Sequence, residues 1–122
     1  MPKIHVVFYQ EDDGTVPVLD WLNTLSPKAQ DKCRIKMERL KELGHELRRP
    51  EADLLQDGIY ELRIGLQGMH YRILYFFHGR MAAVLAHGLI KERAVPPREI
   101  NEAIMRKQKF EQRPDRYTYQ EA

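Results

Sequence analysis

The stretch Ile59–Phe77, IYELRIGLQGMHYRILYFF, decides the fold. It alternates on both sides of Gln67-Gly68. Tyr60, Leu62, Ile64 and Leu66 point one way, and Glu61, Arg63 and Gly65 the other. After the break Met69, Tyr71, Ile73 and Tyr75 share one face, with His70 and Arg72 opposite. The pattern predicts a β-hairpin. With a two-residue turn, Leu66 pairs with Met69, Gly65 with His70 and Arg63 with Arg72; a three-residue loop would offset the arginines. Like charges directly across two strands cost roughly 0.2–1 kcal/mol. Two facing guanidiniums therefore make sense when a phosphate or carboxylate lies between them. Glu61 is the nearest acid and a candidate to hold an arginine in place.

Upstream, Ser26-Pro27 is a helix start, a serine N-cap followed by proline at the first helical position. Ala29, Cys33, Met37, Leu40 and Leu43 recur at helical spacing, and Gly44 supplies the stop. Pro17–Leu25 reads as a shorter helix and Lys3–Tyr9 as a strand, with a polar turn between them. His45–Asp57 reads as a loop. Downstream, Met81–Gly88 (MAAVLAHG) predicts a third strand joined through His78-Gly79-Arg80. Either two-residue turn there puts Ala83, Leu85 and His87 on the side of His70 and Arg72. Leu89–Val95 is a charged connection, and Pro96-Pro97 opens a last helix with Ile100, Ala103, Ile104 and Phe110 inward. The expected organisation is one domain over residues 1–112, then a polar tail, 113–122, with the composition of a disordered end.

The order strand, two helices, three strands, helix implies an α+β fold. The expectation is a small antiparallel sheet, two N-terminal helices packed on one face, and a C-terminal helix. The Tyr60/Leu62/Ile64 and Tyr71/Ile73/Tyr75 face lies under the helices, so the arginine face looks outward.

Composition sets the outer bounds. A chain of 122 residues with 43% hydrophobic and 31% charged residues suits one globular domain with its own core. A net charge of +2 does not by itself demand nucleic acid. Its distribution says more. The first 25 residues hold one base and four acids, whereas Lys28–Arg49 holds eight bases and four acids. Such polarisation favours a local anion-binding surface. The basic residues of the long helix are either a solvated face or a face that tracks RNA or a partner. Cys33 is the sole cysteine, which excludes an internal disulfide, and it falls on the apolar stripe as a small core residue. No run is long enough to span a bilayer and the N-terminus has no signal-peptide pattern, so a cytoplasmic protein is expected.

The residues with chemical potential are Arg63, Arg72, His70, His87, Lys91 and Arg93, placed on one surface beside Glu61. Such a surface suits RNA cleavage without a metal. That reaction needs a base for the ribose 2′-hydroxyl, positive charge on the phosphate, and an acid for the leaving 5′-oxygen. Guanidiniums supply the electrostatic part. His87 is a candidate acid or base, and a lysine crowded by arginines could serve as base. Structural or solvent-exposed histidines, and arginines that grip acids of a partner, are the alternatives. No HxH or HxxxH spacing points to a metal, and no phosphate loop, dinucleotide fingerprint or nucleophile elbow is present. No cofactor is implied.

The runs GIYELRIG, YRILYFFHGR, LAHGLIKE and PPREI, in that order, with the helical segment around Val18–Leu22, resemble the phage-related HigB-like branch of the RelE/ParE toxin superfamily. The resemblance spans residues 3 to 110. It implies a RelE-like fold, a type II toxin acting as an mRNA interferase, usually on ribosome-bound message, and a cognate helix-turn-helix antitoxin. A non-catalytic ParE-like toxin, or an inactive relative that only binds, is the other reading. By position Arg63 is the basic residue of the family's ELR motif, Arg72 the phosphate-binding arginine of YRxxY, and Lys91 the first lysine of the HGFxKK-like segment. Leu89 stands where phenylalanine is common, Glu92 replaces the second lysine, and the link from Lys91 to Pro96 is one residue shorter. Those departures bear on catalytic strength more than on fold.

Overall fold

Local signals place most elements where the pattern puts them. In the computed structural model, which describes residues 4–80, 82–91 and 93–119, strand β1 spans His5–Phe8 and is followed by helices α1 (Pro17–Asn23) and α2 (Pro27–Leu43). Ser26 Oγ accepts the amide hydrogen of Ala29 at 3.2 Å, and Gly44 ends α2 with φ of +53°. Both ends are thus set by one residue each. Ser26→Ala should cost about 1 kcal/mol, read as a lower urea midpoint with an unchanged slope.

Strands β2 (Ala52–Gln56), β3 (Ile59–Leu66), β4 (Met69–His78) and β5 (Ala82–Ile90) form an antiparallel meander. The spatial order is β1-β5-β4-β3-β2, with β1 parallel to β5 at one edge. The sheet is therefore mixed rather than purely antiparallel. Parallel pairing becomes available to β1 because α1 and α2 provide the crossover. The β3–β4 register is the expected one, Leu66 with Met69 through Arg63 with Arg72. Gln67 and Gly68 both have positive φ, +51° and +81°, as the hairpin turn requires.

Each face of the sheet carries its own core. Leu62, Ile64, Ile73, Tyr75, Ala83 and Leu85 pack under α1 and α2, with Val18, Leu22, Ala29, Cys33 and Leu40. On the opposite face Leu74, Phe76, Val84 and Ala86 are covered by helix α3 (Pro97–Gln112) through Ile100, Ala103 and Phe110. The arginine face is thus covered over part of its length and open only at the hairpin end. A short helix α4 (Pro114–Tyr117) closes the described chain. Tyr117 stacks on Tyr9, ring centroids 5.7 Å apart, and the Tyr119 amide donates to the Phe8 carbonyl at 2.9 Å. Within the stretch read as a disordered tail, residues 113–119 are therefore ordered against β1; residues 120–122 lie outside the described residues. No helix among the described residues is long and apolar enough to cross a membrane.

Two further corrections concern strands. The segment read as a loop contains β2, paired to β3 through a two-residue turn, Asp57-Gly58, again with both φ positive. An irregularity between Leu54 and Gln56 interrupts its alternation and hid it. The link from His78 to Ala82 has three residues, so Ala83 and Leu85 face α1 and α2 rather than the arginines. A bulge at Ala86 then turns His87 back to the arginine face. His87 does reach that face, but opposite Leu74, whereas Leu89 stands opposite Arg72.

Candidate RNA-phosphate site

Strand periodicity places Glu61 and Arg63 two apart on β3, and the hairpin register brings Arg72 opposite Arg63. The carboxylate that the facing guanidiniums call for is internal. Glu61 Oε1 accepts from Arg72 Nη1 at 2.6 Å, and Glu61 Oε2 accepts from Arg63 Nη2 at 3.0 Å. The Glu61 side chain is only 3% exposed, Arg72 12% and Arg63 38%. A buried carboxylate between two guanidiniums is tolerated because each oxygen is charge-paired and hydrogen-bonded. Asp53, from β2, reaches Arg63 Nη2 at 3.4 Å and is itself held by Arg49 at 2.9 Å. The Arg49 guanidinium keeps the Asp53 carboxyl below its usual range.

The Nε–H groups of both Arg63 and Arg72 are buried without a partner. Orphaned donors of this kind cost roughly 1–3 kcal/mol each. A bidentate anion offers Nε and a terminal nitrogen of one arginine two acceptors at once.

The pair lies in a cleft of about 1090 Å³ that runs from α2 to the connection after β5. Five permanent cations line it, Lys32, Lys36, Arg63, Arg72 and Arg93, with His70, against three carboxylates, Glu51, Asp53 and Glu61. Beside Gly65, paired with His70, a side chain would meet nothing within 4 Å, so this stretch of strand has open space above it. A smaller hollow of about 440 Å³, lined by Lys91, shares His70, Arg93 and Ala94 with the cleft. The Lys91 amide donates to the His70 carbonyl at 3.0 Å, which fixes the two residues side by side across β4 and β5.

At the α2 wall, Glu51 accepts from Arg39 at 2.7 and 3.0 Å and from Lys36 at 2.9 Å. Arg39 and then Lys36 hold the Glu51 carboxyl down at about 2. A depressed carboxyl stabilises the fold above the unfolded value of 4.5 and loses that contribution as pH falls through about 2. Arg39 is half exposed, so solvent screening limits the effect to about 1 kcal/mol. Denaturant titrations at pH 5 and pH 2 should show a loss smaller in Glu51→Gln than in the native chain by about that amount.

Of the residues expected to act together, Arg63, Arg72, His70, Glu61 and Arg93 line one cleft and Lys91 its annexe. His87 does not join them. Its Nε2 lies 3.0 Å from Glu99 and its Nδ1 3.0 Å from Arg106 Nη1. Arg106 can only donate, so Nδ1 accepts and the ring proton sits on Nε2, donated to Glu99. That hydrogen bond pulls the Glu99 carboxyl down. Both ring nitrogens are occupied, and the ring fastens α3 to β5 instead of facing the cleft. Glu92 lies outside the described residues. Sequence reading missed Asp53, Arg49 and the Glu51 clamp because all depend on β2; the Asp57-Gly58 turn was the signal that could have found that strand. No group of three or more His, Cys, Asp or Glu that could hold a metal occurs among the described residues.

No curated protein matches the chain. The family described as phage derived protein Gp49-like (DUF891) matches residues 20–108, which include the hairpin, both arginines, Lys91 and most of α3. The residues that line the cleft all fall within the matched span, and the chain belongs to the phage-derived Gp49-like family, within the RelE/HigB-like toxin superfamily.

Proposed function

We propose that the chain is the toxin of a type II toxin–antitoxin pair and that it cuts mRNA, on the ribosome, without a metal. The observation that carries this reading is the facing arginine pair, set in a positively lined cleft with a buried, unpartnered donor on each guanidinium. In the reaction a base removes the 2′-hydroxyl proton, O2′ attacks phosphorus, and the bond to O5′ breaks as that oxygen takes a proton. The products are a 2′,3′-cyclic phosphate and a 5′-hydroxyl. Arg63 and Arg72 stabilise the charge that builds on the non-bridging oxygens. His70 and Lys91, side by side at the cleft and its annexe, are the acid–base pair, and Arg93 binds a neighbouring phosphate. His87, first expected as the acid, is a positioning residue that fixes α3 and the connection bearing Arg93. A helix-turn-helix antitoxin is the proposed partner and the cytoplasm the proposed site of action.

A second reading rests on the Glu61 clamp. Arginines already paired inside the protein suit a ParE-like toxin or a relative that binds without cutting. The two separate in a purified translation system. The nuclease reading expects new mRNA fragments ending in cyclic phosphate and beginning with a 5′-hydroxyl. Intact mRNA, or fragments with 3′-hydroxyl and 5′-phosphate ends, would contradict it.

A further inference from the structure

Glu61 touches both arginines in the way a phosphate would, one oxygen to each, and Asp53 adds a second carboxylate to Arg63. Nothing in the cleavage chemistry needs a negative charge there; a carboxylate repels the substrate it faces. Simple neutralisation of the facing pair does not explain the geometry either. Glu61 takes one terminal nitrogen from each guanidinium and leaves both Nε–H groups buried without an acceptor. A fork of Nε and a terminal nitrogen is the arrangement in which arginine holds an oxyanion best, and in the free protein neither arginine uses it on Glu61. The Arg63–Asp53 contact is long, 3.4 Å, and Arg63 is the more exposed of the pair. Arg72 is short to Glu61 and mostly covered.

We propose that the carboxylates of Glu61 and, secondarily, Asp53 are an internal counter-anion that occupies the arginine pair in the free protein and that an RNA phosphate must displace, chiefly from Arg63, to bind. This rests on the reading of the cleft as an RNA-phosphate site. It assigns Glu61 to control of affinity rather than to the chemical step. Binding an RNA strand then exchanges one anion for another, which keeps the complex weak enough to release its product. Arg63 swings to the phosphate, while Arg72 keeps Glu61 on its Nη1 and turns its unpartnered Nε–H to the phosphate.

The test is the affinity of a 2′-O-methyl oligoribonucleotide, which cannot be cleaved because its attacking hydroxyl is blocked. It is measured with the native chain, Glu61→Gln, Asp53→Asn and Arg72→Ala at one salt concentration. Glu61→Gln should tighten binding at least about fivefold, the effect of one unit charge a few ångströms away even at the dielectric of water. Asp53→Asn should tighten it by less. A carboxylate with a merely structural role predicts unchanged or weaker binding in both. Should Glu61→Gln fail to fold, Asp53→Asn decides, since Asp53 sits at the sheet edge. Binding that depends on Arg72 but does not tighten in either variant overturns this inference and leaves the RNA site standing. No binding by the native chain, or binding indifferent to Arg72→Ala, overturns both.

Discussion

Arg72→Ala should lower the rate of RNA cleavage by about 10²–10³-fold, the usual effect of removing one preorganised donor from a developing oxyanion, or roughly 3–4 kcal/mol. Arg72 carries this weight because the fold holds it rigidly. It lies on the central hairpin, opposite Arg63, 12% exposed and 2.6 Å from Glu61. Its removal leaves Glu61 with Arg63 alone, at a stability cost of about 1–3 kcal/mol. Rates are therefore to be compared at a temperature where circular dichroism shows both proteins folded. Arg72→Lys keeps the charge without the fork and should recover only part of the rate. Undiminished cleavage by a folded Arg72→Ala protein would move the chemistry away from this cleft.

Gly88→Ala should destabilise the protein by about 1–3 kcal/mol while leaving the cleft intact. Gly88 lies on the face of β5 opposite the arginines, under the Trp21 ring of α1. A Cβ there would stand 2.3 Å from Trp21 Cδ2, so the ring or the strand has to move. The ring also packs edge-on against Tyr71, centroids 6.4 Å apart, so moving it disturbs a second contact. Helix α1 is only seven residues long and is anchored by Val18, Leu22 and this ring. Overpacking a fitted contact costs about 1–3 kcal/mol, and displacing the ring removes part of the anchorage of a short helix. Thermal unfolding should show a drop of several degrees, with oligonucleotide affinity at low temperature unchanged. An unaltered melting temperature would mean that Trp21 does not cover Gly88.

How much of this was legible in the sequence depended on how local each signal was. The hairpin register came from strict alternation and one two-residue turn, so the Arg63/Arg72 pairing and the place of Glu61 were readable from nineteen consecutive residues. Helix α2 was equally plain, because Ser26 and Gly44 bound it at either end. His87 was placed on the correct face through two errors that cancelled, a turn one residue too short and a bulge left unread at Ala86. The cancellation restored the face but not the position, and His87 lies two residues from the site opposite Arg72. Its partners Glu99 and Arg106 are on α3, and no local pattern announces contacts that cross from a strand to a later helix. Parallel pairing of β1 beside β5 and the stacking of Tyr117 on Tyr9 join opposite ends of the chain and were invisible for the same reason. Strand β2 was different, since Asp57-Gly58 marked it and the irregular alternation of Ala52–Gln56 outweighed that mark.

The most direct measurement is to induce the protein in a bacterial host and map the 5′ ends of cellular mRNA, with Arg72→Ala as the matched control. The arginine-cleft account predicts growth arrest together with new mRNA ends that vanish in the variant. Arrest with intact mRNA, or new ends that persist in a folded Arg72→Ala protein, would contradict it.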